Sequence, residues 1–311
     1  MADGGLPYGL RVPDEGLFGP GSASWEVHAD PSLLLGGLRA LLLQALHPLA
    51  MAGVAQHSAF REDPWGRLYR TAFFIGAVTY GTGEEVREAV GRVRRVHEHV
   101  RGTDPATGRP YRADDPDLLV WVHATEVGSF LDVARRAGLA VSGARADAYL
   151  REQVAVARLV GVPPDVPVPD SRRALDAYVT RTRPELQVTP AAREAVRLAF
   201  VPPLHGRAVL AAPALPAWGG LMGLAMALLP PWARRMYGLP GWRLTDRTAT
   251  LEARALRAAL LRVPRSWWEG PHLVEARRRY GPAAPDLTPA RTAGPGTRAD
   301  SPADAPPAAP R

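Results

Sequence analysis

The sequence contains no cysteine and no lysine. The first absence removes disulfides, thiolate nucleophiles, cysteine zinc sites and iron–sulfur clusters. Any metal must be held by imidazole, carboxylate or another oxygen ligand. The second absence makes all 38 basic residues arginine. With the heavy use of Ala, Gly and Pro, this reads as codon bias in a GC-rich genome. A net charge of +7 and a pI near 10.3 suit a nucleic-acid binder when taken alone. The arginines, however, are spread along the chain with acidic residues between them. That describes a solvated surface, and no nucleic-acid partner is expected.

Other signals are missing too. No alternation of polar and apolar residues lasts long enough for a sheet. There is no Gly-rich phosphate loop, internal repeat, His-Glu-x-x-His, paired Glu-x-x-His or Gly-x-Ser-x-Gly elbow. The first residues, "MADGGLPYGL", lack a basic region followed by an apolar one, and a cytoplasmic location is expected. Two apolar stretches are long enough to raise the question of a membrane. Residues 33–55 are interrupted by Arg39, Gln44, His47 and Pro48, and residues 210–232 by Pro213, Pro216 and the Gly219–Gly220 pair. The second stretch fits a buried helix or a peripheral membrane contact better than a span.

What is present is helical periodicity. Apolar residues recur at 3.6-residue spacing in 32–46, 65–79, 84–101, 116–137, 144–160, 171–182, 189–200, 219–229 and 245–261. Thr82 with Glu85 forms a capping box, Pro116 sits at a helix start, and Thr189-Pro190 repeats that pattern. Gly102 is expected to end the helix begun at Thr82 as a C′ glycine. The expectation is an all-α fold: an irregular arm over 1–24, a single globular helical domain over 25–281, and a Pro/Ala/Gly-rich disordered tail over 282–311.

Two stripes of that helical pattern carry chemistry. In "RVRRVHEHVRG", Arg94, His97 and Arg101 fall at i, i+3 and i+7 and share one face of a helix. In "WGRLYRTAFF", Arg67, Arg70 and Thr71 share another face, among Trp65, Leu68, Phe73, Phe74 and Ile75. Arginine on a buried face needs an anionic partner, because an unpaired buried charge is costly. Snorkelling to solvent, an acidic partner face and a buried dianion are all open. Haem b is one such dianion: two propionates suit guanidiniums, the iron suits an imidazole, and the porphyrin suits apolar walls. Of the eight histidines, His47, His57, His97 and His123 lie in or beside apolar segments. His97 and His99 cannot both point inward from a helix.

The combination of His47-Pro48, "HSAFREDP" (57–64), "RLYRT" (67–71), "RRVHEHVR" (94–101) and "WVHAT" (121–125) resembles one family. It is the catalytic domain shared by latex-clearing rubber oxygenases and the MpaB-type oxygenases of the endoplasmic reticulum, and the likeness runs from about Trp25 to Trp267–Trp268. The resemblance implies a globin-like helical arrangement around haem b (iron) and dioxygen chemistry on a small apolar substrate, isoprenoid- or polyketide-like, with oxidative C=C cleavage as outcome. It implies His97 as the axial iron ligand flanked by Arg94 and Arg101. It also implies Arg67, Arg70 and Thr71 as the distal catalytic group, and His123 as an alternative axial ligand or a propionate partner. Arg70 stands where the rubber oxygenases have a lysine able to ligate iron, and a guanidinium is a very poor ligand. A haem-binding sensor or carrier without turnover is the alternative function.

Overall fold

A side-chain or proline signal starts most of the helices. In the computed structural model, which describes residues 6–58, 60–204 and 212–281, Asp63 caps helix α4 (Pro64–Tyr80) by accepting from the Gly66 amide at 2.8 Å. Thr82 and Glu85 form the expected reciprocal box at the start of α5 (Gly83–His99). Asp115, Ser142, Ser171 and Thr189 cap α6 (Pro116–Arg136), α7 (Gly143–Val160), α8 (Arg172–Thr182) and α9 (Pro190–Phe200) in the same way. The fold is all-α: among the described residues the only strands are β1 (Arg101–Thr103) and β2 (Pro110–Arg112), an antiparallel pair with Gly102 opposite Tyr111. The expected tail at 282–311 lies outside the described residues.

The centre is the crossing of α2 (Leu33–Gln44) with α6. A glycine permits it, since a Cβ on Gly36 would stand 3.1 Å from both Cα and Cδ1 of Phe130. Leu35, Leu38, Leu42 and Leu46 meet Trp121 and Val133 there, with Met222 of α10 (Leu215–Ala227) and Leu229 closing the cluster. On the other side, α1 (Ala23–His28) and α7 add Val27, Tyr149 and Leu150 against Val127 and Phe130. Arg39 is buried in this core and fully engaged. It donates to the Leu228 carbonyl at 3.0 Å and Ser129 Oγ at 2.8 Å, and pairs with Asp132 at 3.2 Å.

The apolar stretch 33–55 breaks where a proline requires it. His47, held extended (φ −86°, ψ 116°) by the following Pro48, separates α2 from α3 (Pro48–His57). Among the described residues no single helix is long and apolar enough to cross a membrane, and this pair passes that test only with a bend of 103°. In the second stretch, Met222, Leu224, Ala225 and Met226 of α10 are buried in the core. The short helices α1, α11 (Pro231–Met236) and α13 (Pro271–Tyr280) complete the fold with α12 (Arg243–Leu260). Among the described residues, 6–22 of the N-terminal arm are irregular apart from a short helical turn at Pro7–Gly9, yet Val12 and Phe18 are buried against Val78 and Val86.

One expectation is overturned. Gly102 does not cap α5: the helix ends at His99, and Val100 turns the chain into β1. Glycine is needed there for space, since a Cβ on Gly102 would lie 2.8 Å from Tyr111 Oη and 2.9 Å from Gln56 Oε1. Those two groups are themselves hydrogen-bonded at 2.9 Å. The end of α3 thereby captures the strand, with Gln56 donating to the Thr103 carbonyl at 2.9 Å and His57 Nε2 3.1 Å from the Arg101 carbonyl. Arg101 therefore leaves the helical stripe that Arg94 and His97 share.

Candidate functional site

Helices α4 and α5 form a hairpin joined by Gly81 and Thr82 alone. Its arms are covered where they meet and open where they end. Ile75, Ala77, Val78, Thr79 and Tyr80 are buried, as are Gly83, Val86, Ala89 and Val90. No residue of α4 before Ile75 and none of α5 after Val90 is buried. A rise of about 1.5 Å per residue carries Arg67, Arg70 and Thr71 on one arm and Arg94 and His97 on the other to about 15–23 Å from the bend. Both stripes thus lie toward the ends of their arms, away from the bend.

The α5 stripe holds polar atoms without partners. Arg94 Nη1 and His97 Nδ1 are both buried, and neither has a hydrogen-bond partner among the described residues. Burial pushes the His97 imidazole below its ordinary value, opposed by the carboxylate of Asp114. A guanidinium N–H and an imidazole nitrogen left unpaired one turn apart are expensive unless something occupies the space beside them. Arg101 takes no part in this: its guanidinium donates to the Glu98 carbonyl on the exposed side. His99 is exposed and lies with Nδ1 2.6 Å from the Arg95 carbonyl.

On the other arm the three residues separate. Arg67 is half-buried and donates to Ser58 Oγ at 3.1 Å. Desolvation, then the charge of Arg70, pushes its guanidinium below the ordinary value. Arg70 is exposed and pairs at 3.2 Å with Asp63, the residue that caps its own helix. The Thr71 hydroxyl donates back to the Arg67 carbonyl at 3.1 Å. Thr125 likewise donates to its own helix, at Trp121.

His123, buried on α6, has an unpartnered Nε2, and burial pushes its imidazole down to about 4. His47, absent from the two stripes, also carries a buried and unpartnered Nδ1, and its ring centre lies 6.0 Å from that of Trp121. The sequence signal was its place before Pro48, which fixes it extended at a helix start. His28, by contrast, is satisfied between Thr79 Oγ1 at 2.8 Å and Tyr149 Oη at 2.9 Å. Among the described residues no three His, Asp or Glu side chains group to hold a metal ion. A metal that arrives inside its own macrocycle asks for a single imidazole, and the orphaned nitrogens of His97, His123 and His47 fit that need.

The profile of the family described as "ER-bound oxygenase mpaB/B'/Rubber oxygenase, catalytic domain" matches residues 25–263. The chain belongs to this family. Comparison with curated proteins and with solved structures returned no match. The protein is therefore an oxygenase, an enzyme that brings dioxygen to a substrate. The match begins at the buried Trp25 and ends just after α12, so it takes in both arms of the hairpin and the whole of α6.

Buried histidines and one carboxyl shape how this oxygenase domain responds to pH without ligand, with His28 and Glu126 as the clearest of each kind. Burial pushes His28 from 6.5 down to about 3, so the folded protein refuses a proton that the unfolded chain accepts. Its contribution to stability is complete above pH 6.5 and is lost as pH falls toward 3. Glu126 on α6 is only partly covered, but it is desolvated enough to push its carboxyl from 4.5 up to about 7. Its contribution is complete below pH 4.5 and is lost as pH rises through 7. The melting temperature should therefore decline on both sides of a weakly acidic optimum. In Glu126→Gln the loss between pH 4.5 and 7 should disappear while the acid limb remains, as followed by circular dichroism. An unchanged upper limb would remove Glu126 from the account.

Proposed function

We propose that this oxygenase binds haem b at the open end of the α4–α5 hairpin, where His97 would hold the iron, and acts on a small apolar substrate of isoprenoid or polyketide type by oxidative C=C cleavage. The observation behind it is the pair of buried, unpartnered atoms, Arg94 Nη1 and His97 Nδ1, one turn apart at that open end. Haem supplies, when bound, the iron at which dioxygen is activated. The chain's residues supply the rest. Arg94 offers a charge-assisted hydrogen bond to a propionate. Arg67, desolvated on α4, would offer hydrogen-bond donors to an anionic group held beside it. Trp65, Leu68 and Phe74 offer apolar walls that exclude water. His123 serves as a partner to the cofactor or as the competing ligand.

A second reading, a haem-binding sensor or carrier, has its own support. Arg70 is engaged by Asp63, the Thr71 hydroxyl by its own helix and Arg67 Nη1 by Ser58, so each member of the triad already has a partner. Titration of the purified chain with haemin separates the readings. The oxygenase should give a saturable Soret band, a b-type pyridine haemochrome, and oxygen uptake that rises on adding a polyprenyl or terpenoid alkene. Saturable haem without alkene-dependent uptake selects the carrier, and a protein that takes up no haemin overturns both.

A further inference from the structure

Helix α12 is apolar on two opposite sides, and the core uses one. At about 100° per residue, Ala249 and Ala253, each 1% exposed, mark the inward side. Leu244 and Leu251, two turns apart, emerge on the opposite side and are 67% and 63% exposed. Thr248 and Ala255 continue that stripe and are exposed as well. An exposed indole stands at each end: Trp242, just before the helix, and Trp267, in the turn that follows it. The stripe is uncovered among the described residues.

Its flanks differ in charge. Arg243, Arg247 and Arg254, all exposed, run down one edge, with Glu252 on the other. The arginine edge opens on a shallow groove lined by Arg135, Arg136, Thr250 and Arg254. Beyond it a second groove is lined by Arg254 and Arg262, together with Arg257, whose guanidinium is already paired with Asp30 at 2.7 Å. The one carboxylate of the first groove, Asp132, is already answered by Arg39 at 3.2 Å and Arg136 at 3.9 Å. An apolar ridge ending in indoles and edged by arginines is the chemistry of a helix lying in an anionic bilayer surface. A second copy of the chain would bring the same arginine edge to the contact, with Glu252 to answer it.

We infer that α12 docks the protein on anionic membrane surfaces, with Leu244 and Leu251 in the acyl boundary and Arg243, Arg247 and Arg254 at the phosphates. This places the enzyme where apolar substrates dissolve, and it needs no haem. The test is flotation of the full-length haem-free protein with vesicles of phosphatidylcholine alone or mixed with phosphatidylglycerol, at low and high salt. The protein should float with the mixed vesicles at low salt and be released by high salt. The double variant Leu244→Glu/Leu251→Glu should lower binding by at least about tenfold. The milder Leu244→Gln/Leu251→Gln should fall in between, and Arg247→Gln/Arg254→Gln should flatten the salt dependence. Leu34→Glu, at an exposed leucine on α2, should leave binding unchanged. Absence of flotation, or full binding by the folded double variant, would overturn the inference. Sedimentation that shifts from dimer to monomer in the double variant would assign the stripe to a second copy instead. Haemin uptake by the same variants, expected unchanged, keeps this result separate from the cofactor proposal.

Discussion

His97→Ala is expected to leave a folded, helical protein that no longer retains haem. Alanine is a better helix former than histidine, so α5 should survive the change. The loss should exceed the about 10–100-fold in affinity that follows when a residue merely hydrogen-bonded to a metal ligand is removed, because here the ligand itself goes. His99→Ala is the control: its imidazole is exposed and lies against the Arg95 carbonyl, and it should keep full haem. His123→Ala should weaken binding or shift the Soret band without abolishing it. Should His97→Ala bind haemin normally while His123→Ala fails, the axial role passes to His123. If both single variants bind, His47 is the imidazole left to try, since it too carries a buried, unpartnered nitrogen. Each outcome is read in the absorption spectrum, with circular dichroism to show that the fold is retained.

The long helices were legible because their ends are written in side chains. Thr82 with Glu85, Asp115 with Pro116, and Thr189 with Pro190 each start a helix within a residue or two of where the apolar period places it. The short helices α1 and α11, six residues each, hold less than two turns, too little for a period to show. Gly102 misled because a glycine after a basic run has two uses. Here it makes room for the Tyr111–Gln56 contact, which joins β2 to α3 across more than fifty residues of chain. No local rule sees such a contact. The site was legible as two stripes, but not as one place. Both stripes lie far from the two-residue joint at Gly81–Thr82, on the lengths of α4 before Ile75 and of α5 after Val90 that the other elements cover incompletely. Arg70 shows the limit of face arguments. Helical phase sets it beside Arg67, yet Asp63 at the helix start draws its guanidinium away into solvent.

Arg234→Ala is expected to cost about 3–5 kcal/mol, the usual loss when one partner of a buried ion pair is removed. Arg234 is 1% exposed, and its guanidinium meets five acceptors. It donates to the carbonyls of Ala227 at 2.6 Å, Leu229 at 3.0 Å, Pro240 at 3.2 Å and Trp242 at 3.3 Å, and to Asp246 Oδ1 at 2.8 Å. The first two carbonyls end α10, where a helix leaves its last acceptors without internal donors. The others lead into α12, so one side chain ties three helices together at a point water does not reach. For a domain of this size the loss corresponds to a fall in melting temperature of about 6–20 °C. Arg234→Lys keeps the charge but offers one nitrogen where the fork offered three, and it should lie in between. Arg235→Ala, at the exposed neighbour on α11, should stay within about 0.5 kcal/mol of the parent. The effect should reach the site as well, because Trp218 of α10 lies 4.6 Å from Trp65 at the start of α4. Loosening α10 should therefore weaken haemin binding by a protein that is still folded at low temperature. A melting temperature unchanged in Arg234→Ala would mean that water replaces the guanidinium at all five acceptors, and the tie between α10, α11 and α12 would have to be sought in the apolar contacts of Met222, Leu229 and Ala233 with Ala249 and Ala253.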